Sequence, residues 1–527
     1  MAAVPLTKYA VHLRPQDNIA VAARGIPAGT TLTFEGGTVP VANGIEMGHK
    51  FAVRPIKEGD PVYKFGQVIG FASKPVGLGD HVHVHNVKAE AFARDYAFGA
   101  DLPAPLPPPA EHLSFMGYDR GPGKPAHLRY GTRNYIAVIS TVNCSASTSK
   151  YITERIKASG VLKDYPNVDG VIPIVHKMGC GHQYEGPDHK QLERTLAGFA
   201  NHPNVAAYIL IGLGCEIVQA RELVEHQHLE LIQLGGGATV TKKPPTVLTI
   251  QETGGIGKTT DAGVKAVIDL LPGVNDVKRV QLPAKHILLG TNCGGSDGNS
   301  GVTANPALGV ASDLVVQHGG TSILAETPEI YGAEHVLTRR AVSAEVGQKL
   351  VDRIKWWEWY TSVFGAEINN NPSPGNKKGG LTTIYEKSLG AIAKAGSTAM
   401  VDVVRYAEPV TAKGFVVMDT PGYDPVSMTG VVAGGANVCV FTTGRGSVYG
   451  CKPAPCLKVA TNTPLYERME SDMDINAGVI LDGTPVEVVG RQIFDAILAT
   501  ASGKQTKSEI HGVGEEEFAP WQIGPTL

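Results

Sequence analysis

The spacing of apolar positions divides the chain. Over residues 1–95 the apolar runs are short (NIAVAAR, GHKFAV, PVYKFGQVIGFA, DHVHVH), and Gly/Pro turns interrupt them about every ten residues. This predicts a small all-β domain. DLPAPLPPPAEHL, Asp101 to Leu113, follows. A proline run of this kind suits neither helix nor sheet, so an extended linker is expected within 96–125. From Asn134 the pattern alternates. NYIAVIS, VDGVIPIVH and VAAYILIGLG have the continuous apolarity of buried strands, and TSKYITERIKASGVL, HKQLERTLAGFANH and EIVQARELVEHQ have helical spacing. An α/β domain with a mainly parallel sheet is expected over 126–243. PPTVLTIQ restarts the alternation, predicting a second α/β domain over 244–527. Its strands would be AKHILLG, TSILAET, AMVDVVRY, GFVVMDT, NVCVFTTG and CLKVATN, its helices PALGVASDLVVQHG, a long one near 341–360, and EVVGRQIFDAILATAS. The predicted fold class is multidomain: all-β first, then α/β.

Composition narrows the function classes. Charged residues are 18% and hydrophobic residues 43%, as in ordinary globular chains. The net charge of −3 with no basic tract argues against nucleic acid as a partner. No run approaches ~20 apolar residues, so no membrane span is expected, and the N-terminus lacks a signal-peptide pattern. Seven cysteines, sparse and odd in number, suit reduced thiols in a cytoplasm. The 63 glycines cluster with polar residues between apolar runs, as they do where backbone approaches a ligand.

Cys144, Cys180, Cys215 and Cys293 each follow a predicted strand. That is the sheet edge at which open α/β folds bind ligands, and thiols there can hold metal. Four small side chains capping strands would look the same. In GDHVHVHN, His81, His83 and His85 alternate, which on a strand puts all three on one face, and His49 lies in the same domain. They suit a shared metal or a polar domain contact. NPSPGNKKGG presents Asn376, Lys377 and Lys378 in a stiff loop or a solvated linker, and TTGRG places Arg445 beyond a strand, where it can grip a carboxylate.

GHKFAV, GDHVHVHN, TVNC, IGLGCE, CGGSDGNSGVTANPALG, NPSPGNKKGGLTT, EKSLG, FTTGRG and MDINAG, in this order, closely resemble the altronate and galactarate dehydratases, a family with a sulfolactate-cleaving branch. The resemblance runs from about residue 10 to the C-terminus. It implies an N-terminal domain of the SAF type (β-clip-like) and a hydro-lyase that takes water from a sugar acid, with altronate expected first and galactarate or sulfolactate as alternatives. It also implies a divalent metal, Fe(II) or Mn(II), with further copies of the chain expected as partners. The expected ligands are His49, His81, His83 and His85. The rival is an iron–sulfur or metal centre on Cys144, Cys180, Cys215 and Cys293. Expected catalytic groups are Lys377 or Lys378 as base, Arg445 on the carboxylate, and Asp297. Ser300, Thr303, Asn305 and Asn376 are expected to bind substrate.

ETGGIGKTT, residues 252–260, invites comparison with a phosphate loop. Thr253 stands where the KGGxGKTT variant needs lysine, and Glu252 where the common form needs glycine. No acidic residue at a second strand end offers itself for magnesium. A nucleotide is therefore not expected.

Overall fold

The structure, a computed structural model, describes residues 3–90, 92, 94–234 and 240–527. The N-terminal part is all-β, with one four-stranded and two three-stranded sheets. Strand Lys50–Ala52 is buried throughout, between strand Ile19–Ala22 of its own sheet and the C-terminal domain. The expected histidine strand is shorter than its sequence suggests. Only His81–Val82 pair, and Asn86 then folds the chain into a turn, accepting from His83 N–H at 2.8 Å and donating to His81 C=O at 2.9 Å. His85 is exposed, with its ring 5.4 Å from that of His81.

The proline run carries no helix or strand, as expected of a linker, but the linker is shorter than 96–125. Ser114–Asp119 is a strand pairing antiparallel with Val280–Pro283. The middle domain has four parallel strands in the order Gly170–Ile174, Tyr135–Ser140, Val205–Gly212, Thr246–Thr249. The last belongs to PPTVLTIQ, and helix Ile256–Asn275 packs on this same sheet. The change of sheet thus comes after Asn275 rather than at 244, because the restarted alternation extends the existing sheet instead of opening a new one.

The C-terminal domain is a seven-stranded parallel sheet in the order Met400–Val404, Gly414–Met418, Thr321–Leu324, Leu288–Cys293, Val438–Thr443, Cys456–Ala460, Ile475–Asn476. Its strands are nearly all buried, with helices on both faces, which is why they read as continuous apolar runs. One apolar core joins the two α/β domains through helices Pro187–Ala200 and Asp424–Ala433. A Cβ at Gly198 would meet the Ala433 carbonyl, so glycine sets how closely these helices approach. Among the described residues, no helix is long and apolar enough to cross a membrane.

Candidate active site

The chain runs from strand Leu288–Cys293 outward to one side of the sheet and returns through Val438–Thr443 on the other. Crevices at such a reversal, beyond the carboxyl ends of the strands, are where open α/β sheets bind ligands. Two glycine loops meet there: Gly294 N–H donates to Thr442 C=O at 3.1 Å and Arg445 N–H to Gly295 C=O at 2.8 Å. Asn376–Gly380 joins them through Gly298 N–H to Gly379 C=O at 2.8 Å. That segment is neither linker nor open loop. Pro374–Lys378 is one helical turn, fixed by a capping box between Ser373 and Asn376.

The β domain closes onto this crevice. A Cβ on Gly298 or Gly380 would strike the Gly48 carbonyl, so only glycine permits the contact. His49, buried here, has Nδ1 2.9 Å from His81 Nε2 and Nε2 3.1 Å from the Lys378 carbonyl. Donor atoms of His49, His81 and His83 all lie within 4.8 Å of one another. Burial drives the three imidazoles toward the neutral form that ligates metal. It lowers the His49 pKa, and with neighbouring positive charge takes His81 to about 4 and His83 to about 3. His83 Nδ1 is buried and has no hydrogen-bond partner among the described residues. The set fits a divalent ion. Behind it, buried Glu386 accepts from Lys50 at 2.9 Å and Lys64 at 2.8 Å, two strand residues of the β domain.

A second buried cluster lies at the tips of the central strands. Cys293, Glu326 and Glu329 have donor atoms within 4.8 Å. Lys394 Nζ is 2.7 Å from Cys293 Sγ and 3.1 Å from Glu326, and Lys387 Nζ is 2.6 Å from Glu329. These ammonium groups already balance the cluster's negative charge and would oppose a cation, so the histidines are the better metal set. Crowded carboxyls favour proton chemistry instead. Burial, then the charge of Glu329, raises Glu326 to about 7, and burial with both glutamates raises Asp424 to about 8. Glu326 also sits at φ +69°, a left-handed conformation that a buried non-glycine residue adopts only under constraint.

Asp424 starts helix Asp424–Ala433 and is only partly buried. Its folded pKa exceeds the ordinary 3.8, so folding takes up a proton between those values. Its neutral form costs nothing at low pH, and stability falls as pH rises from about 4 through 8. Asp424→Asn, which cannot ionise, is expected to melt increasingly above the wild type from pH 5 to pH 8.5. Parallel melting profiles across that range would refute the assignment.

The residues singled out by sequence separate into two kinds. Arg445 and Lys378 are exposed and Lys377 half-buried, and among the described residues their charged groups have no hydrogen-bond or ion-pair partner. Asp297, by contrast, is buried. Its carboxylate accepts from Ser300 at 3.0 Å, Thr461 at 3.0 Å, Asn462 at 3.2 Å and Asn299 N–H at 3.1 Å, and burial raises its pKa. Thr303 donates to Thr461 C=O at 2.7 Å, Asn305 to Gly390 C=O at 2.9 Å and Asn376 to Ser296 C=O at 2.9 Å. Ser300, Thr303, Asn305 and Asn376 thus spend their polar atoms on holding the loops.

The four cysteines belong to two sheets. Cys293 is buried in the C-terminal sheet, while Cys144, Cys180 and Cys215 are exposed on the middle one, so no single centre uses all four. Sequence reasoning missed Glu326, Glu329, Lys387, Lys394 and Asp424. The signals were present in AETPE after a strand and in the Glu-Lys pair of EKSLG. In the glycine loop of 252–260, Gly254 and Gly255 have φ of +94° and +103° between two helices. A Cβ at Gly254 would meet Lys258 Nζ at 3.4 Å, so the lysine folds back over the turn.

Three family models cover the chain: the altronate/galactarate dehydratase SAF domain at residues 8–90, the D-galactarate dehydratase/altronate hydrolase second domain at 117–275, and the D-galactarate/altronate dehydratase C-terminal domain at 284–526. The chain is 33% identical over 526 residues to an altronate dehydratase of Bacillus subtilis, covering 99% of this chain and 100% of the relative. It is 35% identical over 509 residues to the L-threo-forming galactarate dehydratase of Escherichia coli, covering 95% and 94%. It is 29% identical over 412 residues to the (2R)-sulfolactate sulfo-lyase β subunit of Chromohalobacter salexigens, covering 77% and 96%.

Proposed function

Because the chain belongs to the altronate/galactarate dehydratase family, we propose that it removes water from a sugar acid, altronate first, to give the 2-keto-3-deoxy acid. The observation that carries this reading is the meeting of the histidine cluster with Lys377, Lys378 and Arg445, three cations without partners among the described residues, beside the strand tips of the C-terminal sheet.

Removing the proton at C2 pushes charge onto the neighbouring carboxylate. Arg445 is suited to hold that carboxylate by two parallel hydrogen bonds, with Lys378 adding positive charge at the mouth. Lys377, the more sheltered lysine, is placed to take the C2 proton. Asp424, which keeps its proton near neutral pH, gives it to the C3 hydroxyl as that leaves as water. The resulting enol takes a proton at C3 and becomes the keto acid. A divalent ion, Fe(II) or Mn(II), held by His49, His81 and His83 would supply Lewis-acid stabilisation of the enediolate. Asp297 and its partners position the loops.

The test is an anaerobic assay of the Fe(II)-loaded protein against altronate, galactarate and sulfolactate, following 2-keto acid or sulfite. Turnover of altronate is expected. Turnover of galactarate alone would move the substrate assignment, and turnover of none of the three would overturn the reading. Arg445→Met is expected to raise KM on the order of 10-fold with a smaller change in kcat, as loss of a charge-assisted carboxylate contact should. An unchanged KM would remove Arg445 from the carboxylate.

A further inference from the structure

Three thiols stand apart from this site. Cys144, Cys180 and Cys215 follow three adjacent parallel strands of the middle sheet, Tyr135–Ser140, Gly170–Ile174 and Val205–Gly212, and all three are exposed and reduced. Parallel strands deliver their following loops to one sheet edge, and here the loops are locked together. Asn143 N–H donates to Met178 C=O at 2.9 Å, tying the first loop to the second. Ile217 and Val218 N–H donate to Gly179 C=O at 3.0 and 3.1 Å, tying the third to the second. Buried Glu216 ties the third to the first. It accepts from Thr141 Oγ1 at 3.0 Å while taking the N–H groups of Leu213 at 3.1 Å and Gly214 at 2.6 Å. Gly179, at φ +101°, would put a Cβ 2.6 Å from Val142 Cα, so glycine is needed for the second loop to pass the first this closely. These hydrogen bonds thus organise a rim that exposes all three thiols, with Asn143 and Lys177 exposed beside them, and neither the metal nor the proton chemistry above employs the thiols.

The spacing selects the class of ligand. Among the described residues, only the histidine set and the Cys293 set gather three donor atoms within 4.8 Å. A single tetrahedral ion with metal–sulfur bonds of about 2.3 Å holds its sulfurs roughly 4 Å apart. The three thiols are not gathered that closely, and three separate thiols on loops bonded to one another suit a cluster, in which each iron carries its own thiolate, better than one shared ion. The remaining cysteines, Cys293, Cys439, Cys451 and Cys456, are buried in the other sheet or the segment following it and supply no fourth ligand.

We propose that Cys144, Cys180 and Cys215 hold a four-iron, four-sulfide cluster through three thiolates, leaving its fourth iron open to an oxygen ligand. Loading replaces three thiol protons with three iron–sulfur bonds. Equal ferric and ferrous iron with sulfide supplies the cluster at its resting charge, so no other oxidant or reductant is consumed.

The experiment is anaerobic reconstitution of the full chain with equal ferric and ferrous iron and sulfide, followed by desalting. Visible absorbance, acid-labile sulfide and free thiols are then measured. The wild type is expected to turn brown, keep labile sulfide and lose three titratable thiols. Cys144→Ser, Cys180→Ser and Cys215→Ser should each lose most of the colour and sulfide while melting like the wild type, and His83→Ala should keep both. A colourless wild type, iron bound without labile sulfide, or colour surviving in the triple serine variant would each overturn the proposal. The thiol count on the wild type decides the matter even if a variant fails to fold.

Discussion

His83→Ala is expected to fold normally, lose its divalent metal, and turn over the sugar acid on the order of 10³-fold more slowly, the effect of removing several kcal/mol of charge stabilisation. His83 is the member of the histidine set whose buried Nδ1 has no partner among the described residues, so its ring carries no hydrogen bond to them there that alanine would break. The group is partly exposed in a turn held by Asn86, which the substitution leaves intact. Metal content after desalting, melting temperature and kcat are the three readouts. Full metal content with wild-type kcat would remove the histidines from catalysis. Loss of folding would assign them to the domain contact that the sequence also allowed.

Glu386→Ala is expected to have the largest effect on stability. Its carboxylate is the counter-ion of both Lys50 and Lys64, and all three side chains are almost wholly excluded from solvent. Burial lowers Lys50 to about 8 even with the glutamate present, while the two ammonium groups outweigh burial and hold Glu386 well below the usual carboxylate range. Truncating a shared partner strands buried charge, at about 3–5 kcal/mol. The lysines sit on β-domain strands and Glu386 on C-terminal helix Ile384–Ala391, so the loss falls on the docking of the two domains. Cleavage in the proline linker by a protease should therefore accelerate along with the fall in melting temperature. Because the folded pKa of Glu386 is depressed, its contribution is present above the ordinary 4.5 and is lost as pH falls below it. Wild type and variant should converge in acid. A variant as stable and protease-resistant as the wild type at pH 7 would show that the buried triad contributes little to docking. Replacing all three residues with apolar ones should recover much of the loss, since that leaves no charge stranded.

The strand–helix alternation was legible because the central C-terminal strands are buried on both faces, which forces continuous apolar runs such as Val438–Thr443. Boundaries were less legible. Thr246–Thr249 looks like a new beginning in a linear reading, yet it is the fourth strand of a sheet already begun. Side-chain direction was least legible. His81, His83 and His85 follow the alternation of a strand, but Asn86 captures the backbone after Val82, and His85 stays exposed beside His81 without joining the close donor set of His49, His81 and His83. Asp297 and Asn305 have the look of substrate ligands, but partners as remote in sequence as Thr461, Thr442 and Gly390 engage them.

By itself the sequence determined the three-part organisation, the placing of polar glycine loops at strand ends, and the family, because these follow from local periodicity and from contiguous motifs. Tertiary structure decided which groups share a site. His49 meets the Lys378 carbonyl across more than three hundred positions, and Cys293 parts from the other three thiols because it enters a different sheet. The physical reason is that a hydrogen bond or an ion pair acts over a few ångströms in space. Chain connectivity specifies neighbours along the backbone only, and packing brings the remaining partners together.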